Sequence, residues 1–511
     1  MSDTIYNNKR IAKNTLLLYI RMILVILIQL YTVPIILKTL GIEDYGIYNV
    51  VGGIVTIFSF IGGSLASGSQ RFIAFEIGRK DNEQLKKVFD TTITTYIALT
   101  FILFLLLEIG GYLFLNYHMN IGDNRLNAAN WVFQLSILSF SINLISIPYN
   151  ATIIAHERMS FFAYISIVEC TLKLLVAILL QFILFDHLIT YAILICSISI
   201  IIRIIYQVYC HRNFSECRNY RLSWNIQQGK ELLVYSGYNV IGSLATILKK
   251  QGINIIMNLF FGTILNAAHS IAIQINGVFE QFITNIYMAS RPQITKLYAS
   301  NQNSAMWKLS YLSNTIAFYL LMIVSIPCIV HIEFILSLWL GNTVPLYTST
   351  IVKLIIISLL IESTVAQIIA VCQAYNKIKY IQIFSSSIVL LNVPLSYILL
   401  RIYPNITLLP YYIQLFCSIL FIISILVTAS KVTNMDLKYF IKNIFLRYIF
   451  TFSIVYLLIT KISSLHHTSL IWVICIVLLT IVLSAIVIWI LGLNKEDKNF
   501  ILQSIKNKYH L

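Results

Sequence analysis

Apolar runs of about twenty residues recur along this chain from Thr15 to Leu493, with short polar breaks between them. Roughly 20 residues of α-helix, rising 1.5 Å each, are what it takes to cross the ~30 Å hydrocarbon core of a bilayer. In hydrocarbon the backbone can satisfy its own N–H and C=O groups only as helices or as a closed barrel. Barrel strands would read as alternating segments of about ten residues, and these runs are long and continuous. Composition agrees: 58% of the 511 residues are hydrophobic and 11% charged, where a soluble domain carries about 25% charged residues. The expected fold class is therefore an all-α integral membrane protein of about fourteen spans. They lie near residues 15–37, 46–68, 91–115, 128–154, 160–184, 188–209, 232–260, 268–290, 309–331, 348–370, 381–400, 408–430, 444–460 and 470–492.

The formal charge of +16 is distributed as a topology signal. Basic residues sit a few at a time between apolar runs, with no Lys/Arg-rich stripe of the kind a nucleic-acid partner needs. Counted in alternate breaks, Lys and Arg number 27 on one side and 4 on the other, the latter being Lys38, Arg125, Arg401 and Lys461. The positive-inside bias then places both termini in the cytoplasm. The basic N-terminus runs directly into a full-length apolar segment with no small-residue cleavage pattern, which reads as an uncleaved first span. The basic tail around Lys495, Lys498, Lys506 and Lys508 reads as an anchor at anionic lipid. Of the eight cysteines, five fall inside spans, and no CxxC pattern or disulfide framework is present. No cofactor or metal is expected.

The breaks after the second and eighth spans, SQRFIAFEIGRKDNEQLKKVF and SRPQITKLYASNQNSAMWKLS, place Arg71 and Arg291 at an offset of 220, and Gly41 and Gly262 stand 221 apart in similar turns. Two nearly equal offsets suggest that spans 1–6 and 7–12 are parallel repeats. Six helices return the chain to its starting side, so such lobes are related by a pseudo-twofold along the membrane normal. The expected organisation is an N-lobe over 1–222, a C-lobe over 223–431, and two further helices with a basic tail over 432–511. Pro34, Pro148, Pro327 and Pro394 fall within spans, where each removes a backbone hydrogen bond.

The opening NTLLLYIRMILVILIQLYTVPIILKTLGIEDYGIYNVVGGIVTIFSF, then SQRFIAFEIGRK, FFGTILNAAHSIAIQI, ASRPQITKLYA, LSLWLGNTVPLYT and CQAYNKIKYIQ occur in that order. In these segments the chain resembles the polysaccharide repeat-unit flippases of the multidrug/oligosaccharidyl-lipid/polysaccharide exporter (MOP) superfamily, over nearly its whole length. The resemblance implies two lobes, alternating access, and an undecaprenyl-diphosphate-linked oligosaccharide carried to the outer leaflet of the bacterial cytoplasmic membrane for O-antigen or capsule synthesis. It also implies polysaccharide polymerase and glycosyltransferases as pathway partners. Drug/cation antiporters share the superfamily and form the alternative.

A diphosphate cargo needs fixed positive charge in a hydrophilic interior. A Lys or Arg at mid-bilayer costs roughly 2.5–3.5 kcal/mol on insertion scales, so cations within spans point to such an interior. Arg21 in span 1 is suited to bidentate phosphate contact, or else snorkels to the cytoplasmic face. Lys249 and Lys250 interrupt span 7, and neighbours on a helix point about 100° apart, so at least one is expected to face the cavity, or else they snorkel to the outer face. As residues of counterpart spans, Arg21 and these lysines are the candidate cargo-binding groups. Glu169 and Lys173, four apart, can neutralise one another on one helical face, with an ion relay as the alternative. Glu108 and Glu362 have no partner nearby in sequence and are candidates for ion coupling. Asn14, Gln29, Gln274, Asn276 and Gln367 could hydrogen-bond sugar hydroxyls or neighbouring helices.

Enzyme readings have little to stand on. No HExxH, GxSxG, P-loop or GxGxxG occurs in suitable context, and His466-His467 has no carboxylate or Cys nearby. A membrane polysaccharide polymerase would need a long external loop bearing catalytic residues, and every expected external loop is short. Catalytic residues are expected to be absent.

Overall fold

The computed structural model describes residues 2–118, 123–221, 225–340, 344–433, 435–463, 470–494 and 497–498. The expected fold class holds: the described residues form helices joined by short turns, without strands. The chain divides into two compact units, one of residues 13–240 and one made chiefly of residues 241–511.

The first unit contains α1 (Ser2–Ile57), α2 (Ser59–Arg79), α3 (Asn82–His118), α4 (Asp123–Ala155), α5 (Met159–Leu179) and α6 (His187–Asn213). Within α1 the backbone breaks at Gly41 (φ 80°, ψ 170°), a conformation open to glycine and strained for a residue with a Cβ. The LGIEDYG turn thus ends the first span. The core of this unit is aromatic and aliphatic: Phe89, Tyr149 and Ile153 are fully buried beside Tyr206 and Ile202, and Val51, Val132, Phe133 and Ile137 form a second cluster. Arg125 at the start of α4 forms a charge-assisted hydrogen bond with Asp44 and another with Asp186 at 2.6 Å. Asp186 also caps α6, accepting the Leu188 and Ile189 amides at 3.0 and 3.1 Å. Burial works against this carboxylate, but the Ile189 amide and the Arg125 guanidinium outweigh it and hold the carboxyl below its ordinary range.

Helix α7 (Ile226–Ala299) starts in the first unit and continues into the second, which adds α8 (Asn303–Val330), α9 (Ile332–Leu340), α10 (Thr348–Ser363), α11 (Ala366–Ala374), α12 (Ile378–Ile402), α13 (Leu409–Thr433), α14 (Leu437–Phe440), α15 (Leu446–Ser463) and α16 (Leu470–Val487). A straight helix would hold residues thirty apart at a distance of about 45 Å. Yet Lys250 Nζ lies 3.3 Å from Glu280 Oε1, so α7 folds back on itself between them and supplies two membrane-length arms. Gly252 lets its first arm approach α12 closely: a Cβ there would sit 2.7 Å from Val393 Cγ2, whereas one on Gly237 meets nothing within 4 Å. Gly252→Ala should therefore destabilise the protein by about 1–3 kcal/mol through overpacking, read as a lower thermal midpoint in detergent. Gly237→Ala should leave that midpoint unchanged or raise it, and equal behaviour of the two variants would contradict the close approach.

Among the described residues, twelve segments are long and apolar enough to cross a membrane. The other two expected spans are helical as well. That at 46–68 is divided at Phe58, where α1 ends, and that at 268–290 carries His269, Gln274, Asn276, Glu280 and Gln281. The breaks at 69–90 and 291–308, expected as loops, are instead helix extensions joined by tight turns, because Lys80 and Asn301 adopt left-handed conformations (φ 59° and 58°) that close the preceding helices. In each turn the left-handed residue donates to the carbonyl three back and the next residue to the one five back: Lys80 to Ile77 and Asp81 to Glu76, Asn301 to Tyr298 and Gln302 to Leu297. Glu157 and Asn376 build the same C-cap with their successors (φ 60° and 58°). The two pairs stand 221 and 219 residues apart, so the backbone of each unit repeats the offset found between the sequence motifs. Pro34, Pro148, Pro327 and Pro394 all lie inside helices. His466-His467, Lys495, Lys506 and Lys508 fall outside the described residues.

Candidate functional site

In the first unit a cavity of about 480 Å³ opens between α1, α2, α4 and α6. Its wall is largely apolar, with Gly62 and Gly63 leaving room and Ser136, Ser139 and Asn143 of α4 supplying polar groups. Arg21 is not part of that wall. Its half-buried guanidinium lies against α5, with Nη1 3.5 Å from Ser166 Oγ and Cζ 5.0 Å from the centroid of Phe162. The Arg21 Nε is buried without a hydrogen-bond partner, a costly arrangement for a charged donor. On the same helix Lys173 donates to Glu169 at 2.6 Å, so these two charges neutralise one another. Glu108 accepts a hydrogen bond from Gln134 at 2.9 Å.

The second unit gathers the remaining candidates into one cluster. Lys249 Nζ lies 3.8 Å from Glu362 Oε1 at the end of α10, and Ser418 of α13 donates to that same carboxylate at 2.7 Å. Lys250 reaches Glu280 on the second arm of α7 at 3.3 Å, and Asn276 donates to Glu280 at 2.7 Å. Each lysine therefore faces a carboxylate from a different helical segment, and each carboxylate holds a neutral donor too. Glu362 has its partner 113 positions away in the chain, which no local reading could supply. Glu280 has no role in the sequence reading, and its pairing with Lys250 and Asn276 appears only in the fold. The i, i+4 spacing of Asn276 and Glu280 was the available signal.

Directly after Glu362 the helix breaks between α10 and α11. Asn314 of α8 bridges the break, donating to Thr364 O at 2.6 Å and accepting the Gln367 amide at 3.1 Å. Ser310 donates to Gln367 O at 3.3 Å, and the Gln367 side chain donates to Ser290 at 2.5 Å. Non-helical backbone at membrane depth is tolerated where such groups satisfy it. Asn314 also donates to the fully buried Tyr448 of α15 at 3.4 Å, which places the later helices in contact with the break. Of the polar groups expected to serve sugars or helices, Gln367 and Asn276 are committed to contacts within the unit, Asn14 donates to Glu157 O at 3.3 Å, and Gln29 and Gln274 are exposed. The described residues contain no cluster of His, Cys, Asp and Glu able to hold a metal ion.

This architecture is found in solved transporters. An outward-facing multidrug resistance MATE family transporter of the MOP superfamily matches with a TM-score of 0.69 at 13% identity, over 84% of this chain and 97% of its own. The Vibrio cholerae MATE transporter VcmN gives 0.69 at 15%, over 86% and 100%. A MOP superfamily transporter from Pyrococcus furiosus, described as having a binding pocket of reversed polarity, gives 0.66 at 14%, over 84% and 97%. No curated protein matches the sequence. The fold is thus that of MATE-like membrane transporters of the MOP superfamily. Within that class the family model for polysaccharide biosynthesis proteins matches residues 11–298, more than half of the chain, and the chain belongs to that family.

Proposed function

We propose that this transporter moves undecaprenyl-diphosphate-linked oligosaccharide from the cytoplasmic to the outer leaflet of the bacterial inner membrane by alternating access, for assembly of a surface polysaccharide. The observation that carries the reading is the joint presence of a polysaccharide biosynthesis family match and cations set within spans of both units, Arg21 in one and Lys249 with Lys250 in the other. A diphosphate is recognised by such groups through charge-assisted hydrogen bonds. The carboxylates that a cationic drug would need are matched here by lysines at Glu280 and Glu362. Both termini are assigned to the cytoplasm by the charge bias between loops, and the chain would work beside the glycosyltransferases that build the repeat unit and the polymerase that consumes it.

Deleting the gene tests the reading. Lipid-linked oligosaccharide should accumulate on the cytoplasmic leaflet, surface polysaccharide should fall severalfold or more, and the wild-type chain should restore both. Unchanged surface polysaccharide together with new sensitivity to cationic drugs would favour an antiporter instead.

A further inference from the structure

The four charged groups of the second unit are not held equally. Charge-assisted contacts between an ammonium and a carboxylate close to about 2.7–2.9 Å when optimal. Lys249 and Lys250 stand off at 3.8 and 3.3 Å from their carboxylates, while the neutral donors Ser418 and Asn276 bind the same carboxylates at 2.7 Å each. The carboxylates are thus positioned by Ser418 and Asn276, while Lys249 rests against Glu362 beyond hydrogen-bond distance and Lys250 shares two long contacts with the Glu280 oxygens, at 3.3 and 3.4 Å. Every one of the four charged side chains is partly accessible at the protein surface, from 16% for Lys249 to 42% for Glu280.

We infer that Glu280 and Glu362 are specificity-determining residues that occupy Lys249 and Lys250 in place of the cargo anion, and that cargo binds by displacing them. The inference rests on the proposed diphosphate cargo. When a lysine leaves, its carboxylate keeps a hydrogen bond and does not have to move, which makes the exchange local. Two lysines must be released, so an anion has to offer two charges to replace both contacts. A diphosphate does this, and a singly charged anion replaces only one. The site thereby discriminates by charge number, since each unreplaced contact counts against the weaker anion.

The test uses the purified full chain in lipid nanodiscs at low salt, with inorganic pyrophosphate, the singly charged dimethyl phosphate and a polyprenyl diphosphate as probes. Glu280→Gln and Glu362→Gln should each tighten pyrophosphate binding about tenfold by removing the competing carboxylate, and should narrow its advantage over the singly charged dimethyl phosphate. Asn276→Ala and Ser418→Ala should act in the opposite sense, weakening pyrophosphate binding about threefold because the freed carboxylate closes on its lysine. This second pair decides the matter if the Gln variants do not insert. Unchanged or weaker binding in the Gln variants, or tighter binding in the Ala variants, overturns the inference. If Lys249→Ala and Lys250→Ala still abolish polyprenyl-diphosphate binding in that event, the flippase reading survives; if they leave it untouched, the cargo site assigned to these lysines falls as well.

Discussion

Surface polysaccharide should not return when a strain lacking this transporter expresses the Lys249→Ala, Lys250→Ala double variant, and Arg21→Ala should fail in the same way. Each variant removes a charge that the bilayer would not hold without a use or a partner. Arg21→Lys should keep part of the activity, because the charge survives while the planar fork does not. The ion pairs of the second unit add a control. Removing both lysines leaves Glu280 and Glu362 without their counter-charges, so poor insertion of the double variant could come from the carboxylates alone. Adding Glu280→Gln and Glu362→Gln to the double variant should restore membrane levels without restoring transport. Full complementation by the Arg21 and double-lysine variants, with protein levels verified, would show that the cargo is held elsewhere.

The second large effect is expected at Asn314. Asn314→Leu removes the bonds to Thr364 O, the Gln367 amide and Tyr448 at once. It leaves two backbone groups unpaired in a buried helix break. At about 1–3 kcal/mol for each unsatisfied buried group, the loss is on the order of 2–6 kcal/mol, enough to unfold a marginally stable unit. Tyr448→Phe removes only a hydroxyl and should cost about 1 kcal/mol. Thermal unfolding of the purified variants, followed by exposure of the buried cysteines to a thiol reagent, measures both. An Asn314→Leu midpoint equal to that of the wild type would mean that the break does not depend on this bridge.

The helices were legible because membrane insertion is decided locally, by about twenty residues at a time. Two of the fourteen expected spans show the limit of that rule. The segment 268–290 is polar enough to fail a hydropathy criterion, yet the Lys250–Glu280 contact requires it to fold back along the first arm of α7. The helix extensions within 69–90 and 291–308 escape the same rule for another reason. Lys80 closes its helix in the left-handed conformation without glycine or asparagine, so its turn chemistry left no mark in the sequence, whereas Asn301 is a residue type that favours that conformation. The left-handed turns at Lys80 and Asn301 stand 221 residues apart, close to the arginine and glycine offsets.

The amino-acid sequence alone marks this protein as a helical membrane bundle with cations within its spans. Each of these follows from the cost of placing single groups or short segments in hydrocarbon, and that cost can be read residue by residue. What those charges meet depends instead on how the helices pack. Glu169 finds Lys173 one turn away and could be paired from spacing alone. Lys249 finds Glu362 across 113 positions, and Lys250 finds Glu280 only because α7 reverses. An unpaired charge in a membrane sets a demand for a partner, but which carboxylate answers it depends on helix packing, and packing sums over contacts that no local segment contains.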